Sequence, residues 1–304
     1  MAGETDEKGD EKRNPGADPA ELTRRAFVAA TAAAGLVAAS GAVAAIPGQV
    51  VERDVRIETK DGVCDAAYFH PPHGRHPGAL IWTDVFGLRP TFRAFGRRLA
   101  ALGYAVLVPN PFYRHSPAPV ITGVSTFDFK NAADMRALQR WTSGLFAPGA
   151  VERDAAAYVG FLDREPQVDP AKELGTQGYC MGGPLVLRTA ALLPDRIGAG
   201  ASFHGGGLVT DKPDSPHLLA PKIRARMYFA IAASDDERQP DAKVKLREAF
   251  AAAGVAAEIE VYPGTIHGWC VPDMPLHDGK PIYNAPDAER AWGRLIELYR
   301  TALA

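Results

Sequence analysis

"ELGTQGYCMGGPLVLRTAALL", residues 173–193, reads as a strand that runs straight into a turn and out into a helix. Its centre is "GYCMGG" (178–183), one thiol set between glycines. A strand-to-helix turn this tight has no room for bulk two positions either side of its central residue. It also forces that residue into a strained backbone conformation that exposes its side chain. Gly178-x-Cys180-x-Gly182 has this spacing. The N-terminus of the following helix favours negative charge, which suits a thiolate and a developing oxyanion alike. The same residues also read as a small buried thiol in a glycine-rich loop, the common state of a free cysteine.

The elements on either side repeat the pattern. Residues 51–57 and 62–71 alternate as two strands joined at Asp61-Gly62. "GALIWTD" (78–84) and "YAVLVP" (104–109) are short apolar runs of the buried parallel type, with a helix over 91–103 between them. A Pro-rich connection from Asn110 to about Phe127 precedes two helices, near 128–143 and 151–163. Strands at 197–205, 225–234 and 256–264 follow the quoted stretch, with helices at 241–253 and 285–304. Alternation of this kind predicts an α/β fold with a mainly parallel central sheet, helices on both faces and a mixed edge at its opening hairpin. In such sheets function gathers at the carboxyl ends of the strands.

Composition narrows the classes. The chain has 304 residues, 46% apolar and 23% charged, with a formal net charge of −2. A near-neutral balance without a basic stripe argues against nucleic acid as a partner. The three cysteines, Cys64, Cys180 and Cys270, are odd in number and lack metal-ligand spacing. A disulfide framework is therefore not expected, although Cys64 and Cys270 remain a possible pair. A metal site from Cys270, His267 and His277 lacks motif spacing.

The N-terminal segment has a different character. Residues 1–22 are charged, contain Gly and Pro, and are expected to be disordered. Arg24 and Arg25 then precede an Ala-rich run, 26–46, that ends in Ala42-Val43-Ala44-Ala45. These are the three parts of an export signal, and the twin arginines resemble a Tat signal read by the Tat machinery. Cleavage near Ala44-Ala45 would separate residues 1–45 from a domain at 46–304 and leave the mature chain periplasmic or secreted, with no stable membrane span. The alternative is an uncleaved anchor through residues 26–46.

Two further loops complete a constellation. Asp235 and Asp236 follow the strand at 225–234, where a polar pair also reads as solvated or as a helix cap. His267 follows the last strand, in "YPGTIHGW" (262–269). The chain order Cys…Asp…His is that of α/β-hydrolase triads. With "GYCMGG", "SDDERQP" (234–240), "GTIHGW" (264–269) and "TDVFGLRP" (83–90), the sequence resembles the dienelactone hydrolase family of α/β-hydrolases over roughly residues 50–304. The resemblance implies an α/β-hydrolase fold and ester or lactone hydrolysis without metal or cofactor. It implies Cys180 as nucleophile, His267 as base, and Asp236 as the acid, since the family places Pro four residues after its catalytic Asp and Pro240 does so here. It further implies Met181 and Val85 backbone N–H groups as oxyanion donors. Asp84 would stand where the family holds an acid, typically Glu, against the resting thiol, or would instead cap a helix or pair with Arg89 or Arg93.

The resemblance is incomplete in one respect. The family's arginine for a substrate carboxylate lies four residues beyond the catalytic histidine, and this chain has Val271 there. Arg114, Arg136 and Arg140 are other candidate cations. Phe86, Trp269 and Tyr113 are candidates for an aromatic pocket wall, or for the core. Alternatives are a broad-specificity small-acyl carboxylesterase or thioesterase, and a non-catalytic binding protein on the same scaffold.

Overall fold

Eight strands form one sheet in a computed structural model that describes residues 49–304. The export signal and the start of the predicted domain at residues 46–48 lie outside the described residues.

The strands are β1 (Val51–Thr59), β2 (Gly62–His70), β3 (Gly78–Trp82), β4 (Ala105–Pro109), β5 (Leu174–Tyr179), β6 (Ile197–Phe203), β7 (Arg226–Ala232) and β8 (Ala257–Tyr262). The helices are α1 (Pro90–Ala100), α2 (Ala132–Thr142), α3 (Ala150–Leu162), α4 (Gly182–Leu192), α5 (Ala233–Arg238), α6 (Ala242–Ala252) and α7 (Ala285–Ala302). Sheet order is β1-β2-β4-β3-β5-β6-β7-β8. The β1–β2 and β2–β4 pairs are antiparallel and the rest are parallel, so the mixed edge lies at the opening hairpin as expected.

The inner parallel strands β3, β4, β5 and β6 are buried at every position and β7 at all but its first, while the edge strand β8 is only partly buried. Burial on both faces explains why they read as continuous apolar or small-residue runs rather than as alternating ones. Helix α1 packs on β4 and β2, α7 on β7 and β6, and α4 on β5 and β6 beside α3. Phe95 of α1 lies 6.1 Å from Trp292 of α7, so these two helices share a face. Large buried side chains such as Trp82, Phe92, Tyr158 and Phe229 fill the interior. Each contributes about 1.5–3 kcal/mol by leaving water, an upper range for chains that keep a polar tip.

This topology locates the site. The chain winds from β3 to β4 in one direction and from β5 to β8 in the other, so β3 and β5 flank the switch point at which α/β sheets bind ligands. Trp82 pairs with Gly178 across these two strands, so Asp84 and Cys180, each just beyond, leave the sheet side by side.

Candidate active site

Cys180 has φ +53°, a left-handed conformation that costs a non-glycine residue about 1–3 kcal/mol. Its surroundings hold it there. The Cys180 N–H donates to Phe203 O at 3.0 Å and to His204 Nδ1 at 3.1 Å. The Cys180 carbonyl accepts from Gly183 N at 3.1 Å and Gly206 N at 3.2 Å. The glycine spacing has the expected steric cause. A β-carbon on Gly178 would lie 2.1 Å from Gly182 O, and one on Gly182 would lie 2.6 Å from Trp82 O. Helix α4 begins at Gly182, directly beyond the thiol, and its N-terminus favours a thiolate.

His267 meets that thiol. Its Nε2 lies 3.1 Å from Cys180 Sγ, and its Nδ1 lies 2.7 Å from Asp235 Oδ2. The loops that carry acid and base are tied together. His267 N donates to Ser234 Oγ at 3.0 Å, Ser234 N to Thr265 O at 3.2 Å, and Ala233 N to Thr265 Oγ1 at 3.2 Å. Burial works against a charge on His267, but the neighbouring Cys180 and Asp235 outweigh it and raise the imidazole pKa to about 10. The ring lies between the Cys180 sulfur and the Asp235 carboxyl group, and its raised pKa favours the imidazolium.

The carboxylate is not the expected one. Asp236 turns away from His267 and holds Lys243 Nζ at 2.6 Å, while its Oδ1 has no partner. The reason is local. Residues 233–238 form the short helix α5 rather than the polar loop read from sequence, and successive helical side chains point about 100° apart. Only Asp235 can then face the histidine.

Asp84 also departs from expectation. Its side chain is fully buried and does not hold the thiol. Arg89 donates to its Oδ1 at 2.7 Å and its Oδ2 at 2.9 Å, and Phe86 N donates to Oδ1 at 2.9 Å. Burial raises the Asp84 pKa against the pull of Arg89. A carboxyl whose two oxygens both accept from a buried guanidinium is nonetheless a carboxylate at neutral pH. Of the alternatives the sequence left open, pairing with Arg89 is the one observed.

Met181 and Val85 flank the elbow on its two sides, and neither N–H donates to another atom of the described residues. Both remain available to an oxyanion. Two aromatic wall candidates are core residues instead. Phe86 packs among Phe127 and Phe129, with ring centroids at 5.1 and 5.9 Å, and is fully buried. Trp269 stacks on Tyr262 at 4.5 Å and is likewise fully buried. Tyr113 lies on the β1–β2 side, its hydroxyl 2.7 Å from Thr59 Oγ1 and 2.8 Å from Asp154 Oδ1. Cys64 bonds Tyr158 at 3.3 Å and all three cysteines are free, so Cys64 and Cys270 do not pair. Burial pushes the Cys64 thiol up to about 12. No cluster that could hold a metal forms among the described residues.

Sequence reading missed His204. It directly follows β6, is fully buried at φ +39°, and its ring lies 5.0 Å from that of His267. Since its Nδ1 accepts from Cys180 N, the proton belongs on Nε2. Burial first, and then His267, hold it neutral, well below the usual histidine pKa. Its only signal in the sequence was "SFHGG" (202–206), a histidine before glycines at a parallel strand's carboxyl end.

Comparison with known proteins agrees with the fold and the family. Residues 64–303 match the model of the "Dienelactone hydrolase family". A "Putative carboxymethylenebutenolidase" of Methylorubrum extorquens is 28% identical over 291 residues, covering 92% of this chain and 93% of that one. A protein of the same name in Synechocystis is 26% identical over 233 residues, covering 76% of this chain and 88% of that one. A solved chain from Klebsiella pneumoniae, described as a "Putative Dienelactone Hydrolase", superposes with a TM-score of 0.69 at 21% identity, covering 83% of this chain and 99% of that one. The protein is a hydrolase acting on ester or lactone bonds, and the chain belongs to the dienelactone hydrolase family.

Proposed function

We propose that the chain cleaves its substrate through a thioester on Cys180, with His267 and Asp235 completing a triad. One observation carries this: Cys180 Sγ, His267 Nε2, His267 Nδ1 and Asp235 Oδ2 follow one another at 3.1 and 2.7 Å. The thiolate attacks the carbonyl carbon, and the oxygen takes up the displaced electron pair and accepts from Met181 N–H and Val85 N–H. His267 Nε2 gives its proton to the departing alkoxide as the carbon–oxygen bond breaks, which leaves an acyl-enzyme and a neutral imidazole. That imidazole takes a proton from water. The hydroxide attacks the thioester, and collapse releases the acid and restores the thiolate–imidazolium pair. Asp235 orients the ring and balances its charge throughout. The test is turnover of p-nitrophenyl acetate by Cys180→Ala. A fall to background is expected, and wild-type turnover would remove Cys180 from the mechanism.

A second reading, a small-acyl carboxylesterase or thioesterase acting on uncharged substrates, has its own support. Val271 is buried and apolar where the family's carboxylate-binding arginine is expected. Arg89 is taken by Asp84 and Asp273, and Arg114 by Asp61 and Asp154, while Arg136 and Arg140 lie exposed along α2. A panel of neutral esters, neutral lactones and carboxylate-bearing lactones would separate the readings. Preference for neutral substrates favours the second. Export through Arg24 and Arg25 remains part of the proposal, and a mature N-terminus near Ala45 would support it.

A further inference from the structure

Arg89 is only 3% exposed, and all five of its guanidinium N–H groups have an acceptor. Nη1 and Nη2 donate to the two oxygens of Asp84, Nε and Nη2 to the two oxygens of Asp273 at 2.8 Å each, and Nη1 also to Gly87 O at 3.3 Å. The guanidinium lies 4.9 Å from the ring centre of Phe92 and 5.6 Å from that of Phe86. A lysine offers three donors from one point and could not span both carboxylates in this way.

Asp84 and Asp273 belong to the two loops on which the proposed chemistry depends. Asp84 immediately precedes Val85. Its carbonyl accepts from Gly87 N at 3.1 Å and its Oδ1 from Phe86 N, which fixes the Asp84–Val85 peptide plane. In a trans peptide the carbonyl and N–H point in opposite directions, so the Val85 N–H is held facing away from that turn. Trp141 Nε1 donates to Val85 O at 2.8 Å and fixes the next peptide. Asp273 lies downstream of His267 in the same loop, which is wound by Trp269 N to Ile266 O at 3.0 Å and Val271 N to Gly268 O at 2.9 Å.

We propose that Arg89 is a positioning residue for hydrolysis, strapping the loop that offers the Val85 N–H to the loop that carries His267. The proposal rests on the Cys180–His267–Asp235 reading. It also gives the buried Asp84 a role other than contact with the thiol: with both oxygens engaged by Arg89, the carboxylate fixes an oxyanion donor instead.

The test compares wild type with the paired substitution Arg89→Met and Asp84→Asn, which removes the strap together with the fully buried carboxylate charge and leaves only the part-exposed Asp273 without its arginine. Two readouts are needed: kcat and KM for p-nitrophenyl acetate, and the rate of Cys180 alkylation by iodoacetamide, which needs no oxyanion donor. A loosened donor should lower kcat by about 10- to 100-fold while KM and the alkylation rate change by less than about threefold. Wild-type kcat overturns the proposal, and so does an alkylation rate that falls in step with kcat. If the paired variant does not fold, Asp273→Asn carries the test, because that side chain is 35% exposed and only one arm of the strap is cut. There kcat should fall by about 3- to 10-fold with alkylation unchanged, and wild-type kcat again overturns it. Failure of the triad reading looks different: wild-type protein alkylated at Cys180 would keep full ester turnover, whatever Arg89 does.

Discussion

His267 Nδ1 lies 2.7 Å from Asp235 Oδ2, while the adjacent Asp236 holds Lys243 at 2.6 Å. The two aspartates are therefore separable by mutation. Asp235→Asn should lower kcat for p-nitrophenyl acetate by about 10³- to 10⁴-fold, since an amide no longer fixes the tautomer or balances the imidazolium. Asp236→Asn removes a part-exposed ion pair of the kind worth about 0–1 kcal/mol and should leave kcat within about threefold of wild type. The opposite ranking would return the acid to Asp236.

The raised His267 pKa sets an alkaline limit. Near pH 10 the imidazolium loses the proton that the leaving group needs, so kcat/KM should fall with a midpoint near that value. Because the folded pKa is above the unfolded value, the stabilisation from this charge is complete below about pH 6.5 and is lost as pH rises through the folded pKa. Asp235→Asn withdraws one of the charges that hold the proton on, and the alkaline midpoint should move down. A pH–rate profile of both proteins from pH 6 to 11 reads the shift, and an unmoved midpoint would place the limb on another group.

The difference between what the sequence revealed and what it hid follows from the range of the interactions. The elbow was legible because its constraint is local: Gly178 and Gly182 must lack a side chain so that one turn can close. The parallel strands were legible because burial on both faces leaves β3, β4 and β6 as uninterrupted apolar or small-residue runs. The choice between Asp235 and Asp236 was not legible, since it turns on whether Ala233–Arg238 winds into a helix against Thr265 of another loop. Pro240, a feature of sequence position alone, pointed to Asp236, the neighbour that holds Lys243 rather than His267. Arg89 and Asp273 are 184 positions apart and His204 precedes Cys180's partner His267 by a whole βαβ unit. Neither relationship leaves a periodic trace. Phe86 and Trp269 were misplaced for a related reason: an aromatic beside a catalytic motif has the same composition whether it lines the pocket or supports it.

The steric basis of the elbow can be measured directly. A β-carbon on Gly182 would meet the backbone carbonyls of Trp82 at 2.6 Å and Thr83 at 2.8 Å, neither of which can swing aside as a side chain can. Gly182→Ala should cost about 2–3 kcal/mol, at the upper end of overpacking penalties. In a domain of this size that lowers Tm by several degrees. Gly293, inside α7, has nothing within 4 Å of its would-be β-carbon. Gly293→Ala should instead stabilise by about 0.5–1 kcal/mol, through helix propensity and a less flexible unfolded chain. Urea denaturation of the two variants against wild type reads both signs, and a neutral Gly182→Ala would mean that the β3 end can yield.

His204 should shape the acid side of the stability curve. Its Nδ1 is committed to the Cys180 N–H at 3.1 Å, and the groups facing it are His267, Cys180 and the Tyr179 ring at 6.1 Å. Protonation would break the bond to Cys180 and bring a second positive charge beside the His267 imidazolium, so the folded pKa lies well below that of the unfolded chain. Above about pH 6.5 neither state binds the proton and the full stability is present. Below it the unfolded chain takes up the proton first, and stability falls by up to about 1.4 kcal/mol per pH unit from this one group until the folded pKa is reached. His204→Asn keeps an acceptor for Cys180 N–H but cannot titrate. Its unfolding free energy should therefore fall less steeply than wild type between pH 6.5 and 4.5, measured by urea denaturation at each pH. Equal slopes in the two proteins would mean that His204 takes up its proton in the folded state as readily as in the unfolded one.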